Sequence, residues 1–359
     1  MTVYRPTASC ISSIFPTCGK KHILVTGGRS AGKTTLLSKL LPDQKAGITT
    51  RAEKGVGVYF EDNSTGNVVQ MGVFDPSTPL GENRMVPIPA AFKEFCIPTL
   101  QKLSESPSEW VSIDEIGYLE CSCPEYLDAL DQIFEKKRVL AAVRKQELPY
   151  LQALLCRADA FVIDLDEPFG DIDCVIMASG LGKRFGSNKL LADFGSEPMI
   201  CRILSATEGI FKNRVVVTRS YEVAELCRAR GIETVLHDLP YRSDTVRLGL
   251  EALGGASRCM FCSADQPLLS RETVAALALA SLGDGKHIWR AAYSGAAASP
   301  VVFPFRFFEE LCNLPEGKGG GAVIQRHPEA VRLVNVSSPL ELEDADTPED
   351  LERLRKALI

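Results

Sequence analysis

A lysine and a threonine end a glycine-rich run, GGRSAGKT, near the start of the chain. The run matches the pattern G-x-x-x-x-G-K-[ST] in full. Gly27, Gly28 and Gly32 allow consecutive backbone N–H groups to turn toward a β-phosphate. Lys33 offers its charge to the β- and γ-phosphates, and the Thr34 hydroxyl can ligate Mg²⁺. We therefore predict a loop that binds the triphosphate of ATP or another NTP. A glycine-rich turn with an unrelated lysine is the alternative.

Two acidic residues follow the apolar segment WVSI further along the chain. In a phosphate-binding α/β domain, Asp114 at this place would hold Mg²⁺ through water and Glu115 would polarise an attacking water. An acidic pair that caps the next turn is the alternative. Because the complete GGRSAGKT run is present, we favour a hydrolytic site.

A second glycine run, MASGLGKRFG, follows an apolar segment in the second half of the chain and leads into SNKLL. Its spacing, G-x-G-x-x-x-G, differs from the dinucleotide-binding pattern G-x-G-x-x-G. Glycines allow close approach of the backbone, and two cations, Arg184 and Lys189, suit a triphosphate that is attacked at its α-phosphorus. A basic surface loop is the alternative. The predicted nucleotide contacts are Ala178, Ser179, Gly180 and Gly182.

Each of these groups lies where an apolar, strand-like segment ends. Strand-like and helical segments alternate in both halves, which predicts parallel sheets with helices on their faces. The predicted strands include 21–26, 110–114, 138–144, 161–166, 174–180, 214–219 and 258–265. The predicted helices include 91–103, interrupted at Pro98, 125–137, 198–211, 223–231, 243–253 with Ser243 as N-cap, 270–281 and a closing helix with Thr347 as N-cap.

Composition and charge exclude several classes of protein. The 359 residues are 45% hydrophobic and 24% charged, and the net charge of −6 gives no nucleic-acid-binding footprint. No apolar run approaches the roughly 20 residues that span a bilayer, and the first residues lack the features of a signal peptide. Twelve scattered cysteines favour free thiols in a reducing cytoplasm. We interpret Cys259 and Cys262 as core residues, since residues three apart on a strand face opposite sides. The four histidines show no ligand spacing.

The first half resembles the small nucleoside-triphosphatase family first described from thermophiles. The resemblance spans about residues 21–168 and is carried by VTGGRSAGKTTLL, GITTRAEKGVGVYFED, VSIDEIGYLE and VLAAVR. It implies slow hydrolysis of NTPs with broad tolerance of the base.

The second half, over about residues 173–359, resembles the MobA-like nucleotidyltransferases, and most closely the molybdenum cofactor cytidylyltransferases. Four segments carry the resemblance in order: MASGLGKRFGSNKLL, SADQPLL, PVVFPFRFFEELCNLPEGKGGGAVIQRHPEAV and ELEDADTPEDL. The resemblance implies that Asp265 ligates Mg²⁺ and that Asp344 or Asp346 supplies a second metal contact. We carry Asp346 forward as the predicted ligand.

Ser179 stands at the position that separates two groups of this family. Members that use guanine usually have glycine there, and members that use cytosine have alanine. The small serine side chain and the D-Q-P of SADQPLL favour CTP over GTP. The implied reaction is attack of the pterin's terminal phosphate on the α-phosphorus, with release of pyrophosphate. Lys189, Arg184 and Asp265 are the predicted catalytic residues.

These observations predict a two-domain α/β enzyme. A loose tail (1–20) precedes a P-loop NTPase domain built on a parallel sheet (21–168), and a Rossmann-like nucleotidyltransferase α/β sandwich follows (173–359). The predicted function is transfer of CMP from CTP to molybdopterin, fused to NTP hydrolysis, with a molybdenum hydroxylase as the implied recipient. The alternatives are a GTP-using enzyme, a sugar-phosphate nucleotidyltransferase, and a non-catalytic nucleotide-sensing module that regulates the NTPase.

Overall fold

The computed structural model describes residues 3–42, 46–78, 84–180, 185–186 and 188–358. Within these ranges the chain divides into two compact units. The N-terminal unit consists of residues 7–168. The C-terminal unit consists of residues 169–358 together with residues 3–6, so the chain begins in this unit and later returns to it.

The N-terminal unit is an α/β layer structure. Its described strands are β1 (His22–Thr26), β2 (Gly47–Glu53), β3 (Gly57–Asp62), β4 (Val68–Phe74), β5 (Met85–Pro87), β6 (Trp110–Ile116), β7 (Arg138–Val143) and β8 (Ala160–Asp164). Its described helices are α1 (Ala8–Ile14), α2 (Lys33–Leu40), α3 (Pro89–Ala91), α4 (Ile97–Glu105), α5 (Tyr118–Cys121), α6 (Pro124–Lys136) and α7 (Pro149–Leu155).

The sheet of this unit is mixed, which corrects the predicted parallel sheet. Its order is β5-β4-β3-β2-β6-β7-β1-β8. The strands β2, β6, β7, β1 and β8 are neighbours in this order and pair in parallel. The pairs β2–β3, β3–β4 and β4–β5 are antiparallel. Short connections join β2 to β3 and β3 to β4, and such connections allow antiparallel pairing where a parallel pair needs a long crossover. Every residue of β1 is buried, so the loop that follows it starts from a buried strand that has β7 on one side and β8 on the other.

Residues 3–20 are ordered, whereas the sequence predicted a loose tail over residues 1–20. Thr7 caps α1 by accepting a hydrogen bond from the Cys10 backbone N–H at 3.1 Å. Ile11 and Ile14 are buried, and the Phe15 ring lies 5.8 Å from that of Trp110, centroid to centroid. Apolar burial therefore holds this segment against the sheet.

The predicted interruption at Pro98 takes the form of a π-turn. Residues Phe92–Cys96 form one π-helical turn between α3 and α4, and Pro98 lies in the first turn of α4. Proline lacks an N–H and its ring clashes with the carbonyl four residues earlier, so the helix widens just before it.

The C-terminal unit is also α/β. Its described strands are β9 (Asp173–Ala178), β10 (Arg214–Thr218), β11 (Glu233–Leu236), β12 (Arg258–Ser263), β13 (Ile288–Tyr293), β14 (Ala296–Pro304) and β15 (Val331–Asn335). Its described helices are α8 (Ile200–Ala206), α9 (Tyr221–Ala229), α10 (Arg242–Leu253), α11 (Arg271–Ala280), α12 (Phe308–Cys312), α13 (Gly321–Arg326) and α14 (Pro348–Lys356).

The second sheet has the order β11-β10-β9-β12-β14-β13-β15, with β14 antiparallel to both of its neighbours. The strand β9 is central and pairs in parallel with β10 and β12. The second glycine run therefore follows a largely buried strand with a neighbour on each side, as the first one does. Two sheets with helices in two units confirm the predicted α/β class.

The N-caps of two helices in this unit agree in part with those predicted from the sequence. Thr347 caps α14 as predicted, because its Oγ1 accepts from the Asp350 backbone N–H at 3.1 Å. Ser243 does not cap α10. The cap is Tyr241, whose backbone N–H donates to Asp244 Oδ2 at 3.1 Å. Arg242 thereby becomes the first residue of the helix. Within the described residues, no helix has both the length and the apolar character needed to cross a membrane.

Candidate active sites

The phosphate-binding loop of the N-terminal unit begins where β1 ends and closes where α2 begins. Gly27 and Gly32 have φ angles of +138° and +96°, which L side chains rarely adopt. A Cβ on Gly27 would lie 3.2 Å from the Leu165 Cβ. The backbone N–H of Gly28 donates to Asp166 Oδ2 at 2.8 Å. The loop therefore needs its glycines, and it ends at a helix N-terminus that favours anions.

Lys33 and Thr34 extend from the start of α2. Lys33 Nζ donates to the carbonyl oxygens of Gly27 and Gly28, at 2.9 and 3.0 Å, so the ammonium lies over its own loop. Thr34 Oγ1 donates to Asp114 Oδ1 at 3.1 Å. Because β1 and β6 both run parallel to β7, their C-terminal ends reach the same sheet edge. The structure thus brings Thr34 and Asp114 together.

Glu115 is paired with an arginine that the sequence analysis did not single out. Arg144 follows β7, and its Nε contacts Glu115 Oε1. Its guanidinium carbon lies 5.8 Å from the centroid of the Tyr118 ring. Burial, followed by the charge of Glu115, raises the pKa of Asp114 against the opposing effects of Thr34 and Lys33. The signal for Arg144 in the sequence was its place at the end of the predicted strand VLAAVR.

Glu120 is a second residue that sequence reasoning missed. It is 4% exposed, and its Oε2 accepts from the Gly117 backbone N–H at 2.9 Å. Burial raises the pKa of Glu120 to about 7. Close to neutral pH this carboxyl therefore exists in both protonation states.

These groups surround one cavity of about 710 Å³. Its lining is the loop 27–35 together with acidic, basic and apolar side chains, including Glu115, Glu120, Arg144, Lys145, Val58 and Met85. A cavity of this volume is in the range that small-molecule ligands occupy. The combination of a phosphate loop, acids and an arginine suits phosphoryl chemistry.

A buried lysine joins two carboxylates in the C-terminal unit. Lys189 Nζ donates to Asp265 Oδ2 at 2.7 Å and to Asp346 Oδ1 at 2.9 Å, and its side chain is 8% exposed. Asp265 follows β12, and Asp346 precedes α14. The backbone N–H of Ala345 donates to the Asp265 carbonyl at 2.8 Å, which fixes the two segments together. Three predicted site residues from distant parts of the chain meet here.

This place carries more negative than positive charge. Loss of surrounding water, together with Asp265 and Asp346, raises the pKa of Asp344 to about 6. Burial opposes the charge of Lys189, but the two carboxylates that it contacts raise its pKa. Asp265 Oδ1 is buried and has no hydrogen-bond partner. An unpartnered oxygen among crowded carboxylates fits a hard divalent cation such as Mg²⁺, although no group of three or more potential metal ligands is present in the described parts of the chain.

Ser179 lies at the end of β9 with its hydroxyl bonded into the sheet. Its Oγ donates to the Val217 carbonyl at 3.0 Å. A hydroxyl has one proton, so the Nε2 of His237, at 2.8 Å, must be the donor in their contact. Arg219 Nε donates to the Ser179 carbonyl at 3.1 Å. Burial, followed by the charge of Arg219, lowers the pKa of His237. Sequence reasoning assigned no role to either His237 or Arg219.

A second cavity, of about 610 Å³, contains these groups. Its lining includes Ser179, Gly180, Lys189, Arg219, Tyr241, Arg242, Asp265, Asp344 and Asp346. Ala178 is buried, and its carbonyl accepts from Thr218 Oγ1 at 3.1 Å. Gly182 and Arg184, both predicted site residues, lie outside the described residues. The cavity therefore pairs three acids with three cations at the C-terminal ends of parallel strands, where α/β sheets bind ligands.

Two family models match the chain, one over each unit. Residues 22–168 match the family model described as NTPase, and residues 174–331 match the model described as MobA-like NTP transferase domain. The chain joins an NTPase domain to a MobA-like NTP transferase domain. Both resemblances predicted from the sequence are confirmed at this level, and the two units are called the NTPase domain and the transferase domain below.

Several individual proteins are similar to one domain or the other. The nucleoside-triphosphatase THEP1 of Thermotoga maritima is 25% identical over 154 residues, which cover 40% of this chain and 86% of that protein. A nucleotidyl transferase structure from Methanothermobacter thermautotroptrophicus is 24% identical, with a TM-score of 0.45, and covers 52% of this chain and 97% of its own. The Rv0371c structure from Mycobacterium tuberculosis is 22% identical, with a TM-score of 0.46, over 52% of this chain and 97% of its own.

Proposed function

We propose that the transferase domain transfers CMP from CTP to the terminal phosphate of molybdopterin and releases pyrophosphate. The observation that carries this proposal is the contact of Lys189 with Asp265 and Asp346 in a cavity that also holds Arg219 and Arg242. A triphosphate that reacts at its α-phosphorus needs cations along its length. A site with basic and acidic groups side by side can supply these cations in two ways, as basic side chains of the protein and as a metal ion that the acids hold.

The reaction is a single displacement. An oxygen of the acceptor phosphate forms a bond to the α-phosphorus, and the bond from that phosphorus to the bridging oxygen of the β-phosphate breaks. The acceptor oxygens are largely ionised at pH 7, so no side chain has to remove a proton. Asp265 and Asp346 would hold Mg²⁺, which neutralises phosphate charge when bound. Lys189 and Arg219 orient the triphosphate and offset the charge that develops on pyrophosphate.

The environment of Ser179 favours CTP. Its hydroxyl donates to the Val217 carbonyl and accepts from His237, so both interactions turn it into the sheet. Toward the cavity the residue then offers chiefly its Cβ, as an alanine would. By the resemblance described above, alanine at this position goes with cytosine. GTP use is the alternative.

For the NTPase domain we propose hydrolysis of NTPs. Lys33 would leave the carbonyls of its own loop to contact the β- and γ-phosphates. Thr34 and Asp114 would hold Mg²⁺. Glu115 would orient the attacking water. Its ion pair with Arg144 fixes the carboxylate, and the guanidinium would lie close to a bound γ-phosphate.

The deciding experiment measures pyrophosphate release by the full chain. This chain carries the substitution Lys33→Ala, which should remove NTP turnover by the NTPase domain. CTP and GTP are supplied in parallel, with and without molybdenum cofactor, and a panel of sugar phosphates replaces the cofactor in a further series. We expect release with CTP only when the cofactor is present.

Two further variants make the result interpretable. Asp265→Asn removes one proposed metal ligand and should abolish release, whereas Lys286→Gln, an exposed charge change outside the cavity, should leave it unchanged. Release with GTP alone would overturn the choice of nucleotide, and release only with sugar phosphates would overturn the acceptor. No release under any condition would favour a nucleotide-sensing module.

The cellular setting is part of the same proposal. The twelve cysteines are free thiols, which suits a reducing cytoplasm. The product would pass to a molybdenum hydroxylase, the class of enzyme that uses such a cofactor according to the resemblance.

A further inference from the structure

The transferase domain holds another cavity, of about 310 Å³, which the proposed reaction does not use. The C-terminal end of α10, the start of β12 and the segment 305–312 form its walls. Asp173, the first residue of β9, belongs to its lining. Ser179 follows the last residue of the same strand, so this cavity and the nucleotide cavity lie at opposite ends of β9.

Asp173 is a buried carboxyl with one oxygen unused. It is 1% exposed, and its Oδ1 accepts from the backbone N–H and the side-chain Nδ2 of Asn213, both at 3.0 Å. Its Oδ2 is buried and has no hydrogen-bond partner. Burial raises the pKa of Asp173. The nearby cation Lys212 pairs instead with Asp171, at 3.5 Å. A buried acceptor without a partner costs free energy unless a ligand satisfies it.

Aromatic rings stand at the opening of the same cavity. Phe305 is 63% exposed, and its ring centroid lies 5.4 Å from that of Phe308. Glu251 is also part of the lining, with its carboxylate paired to Arg247 Nη1 at 3.0 Å, and no lysine, arginine or histidine is among the described residues that line the cavity. An apolar, aromatic wall combined with acidic groups attracts organic cations, through their apolar body and through the charge on nitrogen.

We propose that this cavity binds a small organic amine, whose ammonium group donates to Asp173 Oδ2 and whose apolar body packs against Phe305 and Phe308. Charge-assisted hydrogen bonds are stronger than neutral ones, and the low dielectric around Asp173 favours a cationic partner over a neutral one. Apolar contact supplies the remaining affinity. The site is independent of CTP, of the acceptor and of the metal.

The test uses 2-phenylethylamine as the probe and the full chain as the protein. Its amine is protonated at neutral pH. 2-Phenylethanol has the same ring and chain without the charge, and 3-phenylpropionate has the opposite charge. Dissociation constants are measured by NMR titration with CTP present in excess. We expect the amine to bind at least about tenfold more tightly than the alcohol, and the carboxylate not to bind.

Three variants decide where the amine binds. Asp173→Asn keeps the acceptor for Asn213 and should remove the preference for the amine over the alcohol. Phe305→Ala changes an exposed side chain and should weaken both ligands. Asp265→Asn should leave amine binding unchanged. The proposal is wrong if the amine has no preference in the unchanged protein, if Asp173→Asn keeps that preference in a folded protein, or if Asp265→Asn abolishes binding.

Discussion

Removing Lys189 should strengthen metal binding in the transferase domain while it abolishes catalysis. The ammonium of Lys189 contacts the two carboxylates, Asp265 and Asp346, that we propose as metal ligands. A metal held by the same oxygens therefore competes with the lysine. At pH 8, where Asp344 is ionised, the three acids and one ammonium sum to −3 + 1 = −2. The substitution Lys189→Gln changes this sum to −3.

The size of the effect follows from the contacts that the metal must displace. A hydrogen bond to a charged group contributes about 1.5–3 kcal/mol. If metal binding breaks one of the two contacts, removing the lysine lowers the free-energy cost of metal binding by that amount. Since each 1.4 kcal/mol corresponds to a factor of about ten, Mn²⁺ should bind roughly ten- to a hundredfold more tightly. Pyrophosphate release should fall by a factor of about 10²–10³, because the cation over the triphosphate is lost.

The assay is a Mn²⁺ titration followed by electron paramagnetic resonance. The Asp114→Asn background removes the metal site proposed in the NTPase domain, and Lys286→Gln controls for loss of an exposed positive charge. Unchanged or weaker Mn²⁺ binding after Lys189→Gln would refute the reasoning. It would mean that the carboxylates are not the metal ligands or that the lysine stays beside the metal.

Three other predictions concern single side chains. Ser179→Ala should retain CTP-dependent pyrophosphate release within about threefold, because the hydroxyl faces the Val217 carbonyl. A loss above tenfold in a nucleotide competition assay would show that the hydroxyl contacts the base. Glu120→Gln should change how stability depends on pH. The raised pKa of Glu120 means that the native protein binds more protons than the unfolded one between pH 4.5 and about 7. The free energy of unfolding of the wild type therefore falls as the pH rises through this window. The variant should lose this component, which amounts to at most about 3 kcal/mol. Urea unfolding at pH 5 and pH 8 measures it, with Trp110 fluorescence as the probe in a Trp289→Phe background, and equal pH dependence in both proteins would contradict the assignment. Arg144→Ala should lower NTP hydrolysis by at least about tenfold, whereas Arg138→Ala, at the other end of β7, should not. Equal activities would exclude the guanidinium from the reaction.

The sequence predicted those parts of the sites that depend on local spacing. The run from Gly27 to Thr34 could be interpreted because neighbouring residues alone build such a loop. The meeting of Thr34 with Asp114 also followed, because parallel strands end at one sheet edge. In contrast, Lys189 and Asp346 are 157 residues apart, and only the family resemblance suggested that they act together.

The local sequence did not show which strands the missed residues would lie beside. His237 reaches Ser179 and Arg144 reaches its cavity because β11 and β7 lie beside particular neighbours, and no short segment of sequence specifies the order of strands in a sheet. The antiparallel strands β4 and β5 were not predicted, because they lie in a stretch that is rich in turn-forming residues. The order of the N-terminal segment could have been predicted, since Thr7 precedes a short run with apolar residues at 10, 11 and 14, which suits a capped helix.

The path of the chain has a consequence for how the two domains can be handled. Residues 3–6 belong to the transferase domain, where the Tyr4 backbone N–H donates to the Gly209 carbonyl at 2.9 Å and its ring stacks on Phe169. The NTPase domain is therefore an insertion with two covalent tethers, and a single cut near residue 169 removes a piece of the other domain. A gene fragment that starts at residue 169 would encode a transferase without its first segment. Exchange of the NTPase domain as a cassette requires two junctions, one on each side of residues 7–168.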